Sequence, residues 1–311
     1  MNYPKAILVS GSHRSGTTWV GKMISTSPSI AYINEPFNPF TYKKFRGRCG
    51  AKFVNQYTYI TDENESEFYP YLKDTLEFRY NFLGQLKSSQ NCADVRRAVK
   101  EQFQFWGYQY RSQTPLMKDP LALCSLPWLA DKFNLDIVVL IRHPAAFVAS
   151  VKRVGWKYNF SELLAQPPLI RDHLSEFEEE IREHATTQKD IIDNASLIWK
   201  LMYYMVSKYQ KSHQHWLYRR YEDIAKEPVS AFESLFSQLN LDFSESVKNT
   251  IVDFTNNSNP TNFNDKDWSF RKRNSNANIT SWKSKLTDEE IKRIRESVES
   301  VASNFYSDAD W

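Results

Sequence analysis

Cysteine is scarce in this chain: Cys49, Cys92 and Cys124 are the three in 311 residues. They stand far apart, form no CxxC pair and make no even-numbered framework. That excludes a disulfide scaffold and predicts free, buried thiols in a reducing compartment. The six histidines show no HExxH or similar spacing, so no metal is expected. Long apolar runs are missing as well. None approaches the ~18 residues that span a bilayer, and the chain enters its first apolar segment without a charged n-region and an apolar h-region. The expectation is a cytoplasmic protein with no stable membrane insertion. Charge of one sign is also lacking. A net +3 is too mild for a dedicated nucleic-acid binder, yet it permits a local basic groove for an anionic ligand. No internal repeat is evident.

What is present is a strand, a glycine-bounded loop and a helix. Ala6-Ile7-Leu8-Val9 reads as a buried strand and Trp19-Val20-Gly21-Lys22-Met23-Ile24 as the opening of a helix. Between them lies Gly11-Ser12-His13-Arg14-Ser15-Gly16-Thr17-Thr18. In such a unit consecutive backbone N–H groups and the helix dipole converge on one anion. The Gly11-to-Gly16 spacing matches a nucleotide P-loop, but Thr17 stands where that motif has its Lys. A triphosphate needs that cation and Mg²⁺. The loop is therefore expected to hold a phosphate other than a triphosphate, with Arg14 as its nearest cation. A P-loop kinase and a catalytically silent phosphate-binding module are the competing readings.

The rest of the chain alternates strands and helices. Ile30–Ile33 reads as a second strand, running into Asn34-Glu35-Pro36. Pro115-Leu116-Met117-Lys118 reads as a third and Asp136–Ile141 as a fourth, apolar and branched as a central parallel strand requires. A helix starts near Pro144 and contains Ser150. Glu176 to Glu180 reads as a solvated helix face, Ile191–Tyr209 as a long core helix, and Trp216-Leu217-Tyr218 as a late strand, with His213 and His215 at its start. Helices follow near 229–240 and 244–254. The last begins after Thr287, an N-cap with Glu290 as its capping-box partner. This pattern predicts an α/β fold: a P-loop-like central parallel sheet with helices on both faces, in one domain of residues 1–311. Segments 41–110 and 156–188 fit the alternation poorly and read as insertions lining an acceptor cleft.

The block Arg14-Ser15-Gly16-Thr17-Thr18-Trp19 resembles the 5′-phosphosulfate loop of the sulfotransferases that use PAPS, 3′-phosphoadenosine 5′-phosphosulfate. A second block, Ile141-Arg142-His143-Pro144 through Ser150, is similar to the stretch where that family carries an Arg and a Ser eight positions apart. The resemblance implies that Arg142 and Ser150 bind the 3′-phosphate. An Arg at a strand end and a Ser two turns into the next helix can reach one phosphate. It further implies that Trp19 stacks on adenine and that Tyr221 approaches it. Arg271-Lys272 and Trp282-Lys283 resemble the family's C-terminal phosphate clamp, with a longer gap between the pairs.

Two blocks resemble particular branches. Glu35-Pro36 sits where carbohydrate sulfotransferases have Glu-Pro and protein-tyrosine sulfotransferases their catalytic Glu. Lys118-Asp119-Pro120-Leu121-Ala122-Leu123 is close to a block of the tyrosine enzymes. The catalytic His that follows the third strand in the cytosolic enzymes has no counterpart here. The resemblance therefore implies Glu35 as general base, with His13 in reserve, and Lys118 stabilising charge on the leaving oxygen. The expected reaction moves the sulfuryl group of PAPS to an acceptor hydroxyl and releases adenosine 3′,5′-bisphosphate. The acceptor reading is a carbohydrate or glycolipid, with protein tyrosine or a small molecule as alternatives.

Overall fold

The computed structural model describes residues 5–256, 258–260, 272 and 274–311. Five strands form one parallel sheet in the order β2-β3-β1-β4-β5. They are β1 (Ala6–Gly11), β2 (Ile30–Asn34), β3 (Thr114–Lys118), β4 (Leu135–Ile141) and β5 (Leu217–Arg220). The period of two along each strand sends alternate side chains to opposite faces, and here both faces are apolar. Ala6 and Leu8 of β1 and Ile137, Val139 and Ile141 of β4 face one core. Ile7, Val9, Val138 and Leu140 face the other.

Helices cover both faces, as the alternation predicted. On the first, the long helix Ile191–Ser212 lies against the helices Pro144–Val154 and Asp288–Ala302. Its Trp199, Leu201, Met202, Met205 and Val206 are fully buried. On the second lie α1 (Thr17–Ile24) and the helices Pro228–Gln238 and Glu245–Thr255. Pro144 occupies the first turn of its helix, where a missing N–H costs nothing. Thr287 and Glu290 form the reciprocal capping box read from the sequence.

Three local expectations shift. Glu180 is not simply solvated: both its oxygens accept from Lys200 Nζ, at 2.6 and 2.7 Å, and Lys200 is buried. A buried ammonium requires such a partner, and nothing in the local pattern announced it. His213 closes the long helix rather than opening the strand. Cys49 and Cys124 are buried, but Cys92 is exposed, because it begins the helix Cys92–Tyr110 on its outward side.

The 41–110 segment holds that helix and three shorter ones, Tyr42–Phe45, Tyr69–Leu76 and Phe82–Ser88. Its central part joins the first core through Phe53, Tyr57, Ile60 and Leu72. It is tied to the 156–188 segment by hydrogen bonds from Gln56 N–H to Glu162 and from Tyr59 N–H to Gln166, both 2.8 Å.

In a parallel sheet all C-terminal strand ends share one edge. The register sets Asn34 beside Lys118 and Gly11 beside Leu140. Gly11 has φ +138°, and a Cβ there would lie 2.4 Å from the Leu140 carbonyl oxygen. Gly11→Ala is expected to cost about 2–4 kcal/mol through strain and displacement of β4. Chemical denaturation of the two proteins checks this; a loss below ~0.5 kcal/mol, the scale of an indifferent substitution, would show that the strand pair yields freely.

Candidate functional site

The loop after β1 is shaped by positive φ. Arg14 takes φ +64° and Gly16 φ +97°, with Ser15 N–H donating to Ser12 O at 3.1 Å. A Cβ at Gly16 would meet the Tyr221 ring at 2.6 Å, so only glycine lets the ring close over the loop. No side chain caps α1 and no acid lies in its first turn. Its leading N–H groups thus have no partner from within the helix and face outward with the positive end of the dipole. Thr17 is buried and Thr18 exposed at that turn.

Cations and aromatics gather around this loop. Arg14 Nε donates to Ser150 Oγ at 2.9 Å, and its guanidinium lies 5.5 Å from the centre of the Trp156 ring. Arg142 Nη1 donates to the Arg14 carbonyl at 2.5 Å, with its guanidinium 4.9 Å over Tyr221. Trp19 meets Tyr221 edge-on at 5.5 Å. The backbone at Arg142 is clamped. Its N–H donates to Tyr203 Oη at 3.2 Å and its carbonyl accepts from Trp199 Nε1 at 2.8 Å. His143 N–H donates to Glu222 at 3.0 Å, and the other Glu222 oxygen accepts from Tyr306 Oη at 2.9 Å. Arg142 Nε is buried and has no hydrogen-bond partner among the described residues. A buried guanidinium N–H left over in this way fits an anion.

Arg14, Ser15, Gly16, Thr17, Thr18, Trp19, Arg142, Ser150 and Tyr221 therefore share one place at the sheet edge. Lys272 does not join them: its Nζ lies 2.7 Å from Asp253 Oδ1. Arg271 lies outside the described residues. Trp282 stacks on His143 at 5.0 Å, next to Arg142, and Lys283 Nζ donates to the Trp311 carbonyl at 2.7 Å.

Glu35 and Lys118 meet at the ends of β2 and β3, β3 being the strand next to β1. Glu35 N–H donates to Lys118 O at 2.8 Å, extending the β2–β3 pairing by one residue. Glu35 then turns out at φ +46°. Its Oε1 pairs with Lys118 Nζ, and its Oε2 accepts from Asn38 Nδ2 at 2.7 Å. The Lys118 side chain is 1% exposed against 23% for Glu35, so the carboxylate is the accessible half of the pair. Glu35 lines a cleft together with Asn34, Asn38, Thr41, Phe45 and Arg48, and Lys118 lies buried behind it.

Sequence reasoning named Asp119 without giving it work. It is fully buried, with Oδ2 accepting from Phe37 N–H at 2.6 Å and Oδ1 from Leu121 N–H at 3.0 Å. It thereby fixes the turns after both β2 and β3. Burial, and then the charge of Glu35, push its carboxyl up to about 7. Lys22 was missed too. It stacks 3.7 Å over Tyr32 and is held below the usual lysine range by burial and then by Lys118 and Arg48. Its helical position gave no hint of this, since the other cations come from distant segments. His13, the reserve base, has both ring nitrogens engaged, Nδ1 with Tyr57 Oη and Nε2 with Tyr158 Oη. Burial and then Arg14 hold it down to about 3, so it is a neutral imidazole across the ordinary pH range.

Because the Asp119 carboxyl titrates higher in the folded chain than the ~3.9 of an unfolded one, folding takes up a proton between those values. That contribution is complete at low pH and is lost as pH rises through about 7. Wild type is therefore expected to lose stability relative to Asp119→Asn between about pH 4 and pH 7. Parallel denaturation series at stepped pH check the slope; parallel curves would mean that Asp119 is already ionised at low pH.

The model of the sulfotransferase domain family matches residues 4–305. No curated protein matches the sequence. Among solved structures, the sulfotransferase domain from the curacin biosynthetic pathway aligns with a TM-score of 0.51 at 16% identity, covering 96% of this chain and 99% of that one. The sulfotransferase domain of the Synechococcus PCC 7002 olefin synthase gives 0.47 at 16% identity, covering 98% and 96%. Mouse sulfotransferase SULT7A1 complexed with PAP gives 0.46 at 11% identity, covering 100% and 88%.

Proposed function

This chain belongs to the sulfotransferase domain family, and from that premise we propose that it moves the sulfuryl group of PAPS to the hydroxyl of a carbohydrate or glycolipid, within one domain of residues 1–311. The observation that carries the donor assignment is the meeting of Arg14, Arg142 and Ser150 at one glycine loop. A donor with phosphate at both the 5′ and 3′ positions needs two anion sites close together, and these residues supply the cations for both. Arg14, the Ser15 and Gly16 backbone, Thr17 and Thr18 hold the 5′-phosphosulfate. Arg142 and Ser150 hold the 3′-phosphate, Arg142 through Nε, which has no partner among the described residues. Trp19 and Tyr221, already edge to face, bracket the adenine. Lys272 and Arg271 are assigned to the far side of the 3′-phosphate; for Lys272 this requires leaving Asp253.

Glu35 accepts the proton of the acceptor hydroxyl as its oxygen bonds to sulfur. Lys118 stabilises the negative charge that grows on the bridging oxygen as the S–O bond breaks, and adenosine 3′,5′-bisphosphate leaves. The ion pair between them keeps base and electrophile in register before substrates arrive. The aromatic and basic 41–110 segment supports a saccharide acceptor, since ring faces stack on sugars and cations meet anionic glycans. It supports protein tyrosine less, because the cleft rim at Asn34, Asn38 and Thr41 is polar and hydrogen-bonding.

Calorimetry with adenosine 3′,5′-bisphosphate and with ATP–Mg²⁺ tests the donor. The bisphosphate is expected to bind tightly, and Arg142→Ala to weaken it by about 10–100-fold through lost charge-assisted bonds. Binding of ATP–Mg²⁺ alone would return the loop to the kinase reading. Glu35→Ala is expected to cut turnover by about 10²–10⁴-fold while bisphosphate affinity stays within a few-fold. Surviving turnover would remove Glu35 as the base.

A further inference from the structure

The helix Cys92–Tyr110 is apolar on two opposite sides. Its inner side is accounted for. Ala98 and Phe105 are buried, and Phe105 packs with Ala31 and Ile33 of the edge strand β2. Its outer side carries Val95, Val99, Phe103, Trp106 and Tyr110, at intervals of four, four, three and four. That spacing holds one stripe from Val95 to the helix end at Tyr110, roughly 22 Å at 1.5 Å per residue. All five are exposed: Phe103 by 64%, Trp106 by 55% and Tyr110 by 91%. The neighbouring helix Phe82–Ser88 packs alongside and exposes Leu83 by 71%. An exposed aromatic stripe of this length marks a surface that something covers.

Charge identifies the covering. The outer half of the helix carries Arg96 and Lys100, both exposed. Its two carboxylates turn the other way and are already neutralised: Asp94 pairs with Arg97 at 2.8 Å, and buried Glu101 pairs with Arg48 at 2.8 Å. Lys87 adds a further exposed positive charge on the neighbouring helix. A second copy of this chain would bring Arg96 and Lys100 against a surface with no carboxylate to receive them. Apolar and interfacial aromatic side chains flanked by positive charge alone match an anionic lipid surface. No described helix is long and apolar enough to cross a membrane, so the contact would lie in the plane of the interface.

We propose that this stripe docks the protein on anionic membrane surfaces, with Phe103, Trp106 and Tyr110 entering the headgroup region and Arg96 and Lys100 meeting lipid phosphates. The inner face of the same helix reaches the cleft. Glu101 holds Arg48, which lines it beside Glu35. Docking thus sets the cleft near the layer where a lipid-borne hydroxyl would stand. The inference does not rest on sulfuryl transfer, because binding is read without turnover.

The test is co-sedimentation of the full chain with vesicles of phosphatidylcholine, with and without phosphatidylglycerol. Binding is expected with the anionic vesicles and is expected to fall with added salt. The Phe103→Glu, Trp106→Glu double variant should lower partitioning by tenfold or more, roughly the value of burying such side chains at an interface. Arg96→Gln with Lys100→Gln should lower it by about tenfold and flatten the salt dependence. Both pairs are solvent-facing, and unchanged melting curves confirm intact folds. Absence of wild-type binding to anionic vesicles would overturn the proposal, as would equal binding by the Phe103, Trp106 variant. So would a wild-type dimer in sedimentation equilibrium that this variant dissolves while vesicles are ignored, which would assign the stripe to a second copy.

Discussion

Everything at the functional edge depends on β1 being paired on both sides, with β3 as far as Val9 and with β4 up to its last residue. Its parallel register with β4 runs from Ala6 to Gly11, and at Gly11 the Leu140 carbonyl leaves no room for a side chain. Because the pairing with β4 persists that far, the loop departs two residues beyond the level where β3 ends in Lys118 and close to where β4 hands over to Arg142. One backbone constraint thus brings the glycine-bounded loop near Lys118 and Arg142, which lie more than a hundred residues further along the chain. The topology makes this edge the natural place for a ligand. The chain runs from β1 to one side through β2 and β3, then crosses to β4 and β5, which opens a crevice at the strand ends.

Buried polar groups hold that edge rigid. Asp119 ties the turns after β2 and β3 through two backbone N–H groups. Glu222 does the same for His143, with Tyr306 on its other oxygen. Each satisfies groups that would cost several kcal/mol if buried alone. The floor of the loop is His13. Through Tyr57 and Tyr158 it touches both segments that interrupt the alternation of strands and helices. The glycine loop and these two segments are therefore one connected body around a neutral imidazole, and a shift in one would be felt by the other.

Much of this was legible in the residues. The glycine spacing, the strand run at Ile137–Ile141, Pro144 in its helix turn and the Thr287–Glu290 box are local signals, and the fold follows them. That Arg142 and Ser150 sit on one strand–helix unit was readable too, but the partner the structure gives Ser150 is Arg14. What escaped were groups whose partners come from elsewhere: Lys22 beside Lys118 and Arg48, Lys200 on Glu180, and the clamp of Tyr203 and Trp199 on Arg142. The 41–110 segment was legible only as a departure from the pattern, since its long helix shows apolar residues on two faces and so no clean single period.

The sequence by itself determined the elements and the loop chemistry, because hydrophobic period, glycine freedom and capping act within a few residues. Tertiary structure alone decided which distant charges share a site. Whether Glu35 meets Lys118, whether Asp119 is buried enough to hold its proton to about 7, and whether the second face of the Cys92–Tyr110 helix is covered depend on strand order and register. Those are set by the global packing of the sheet, in which contacts between residues far apart in the chain are formed together and none can be read from its neighbours.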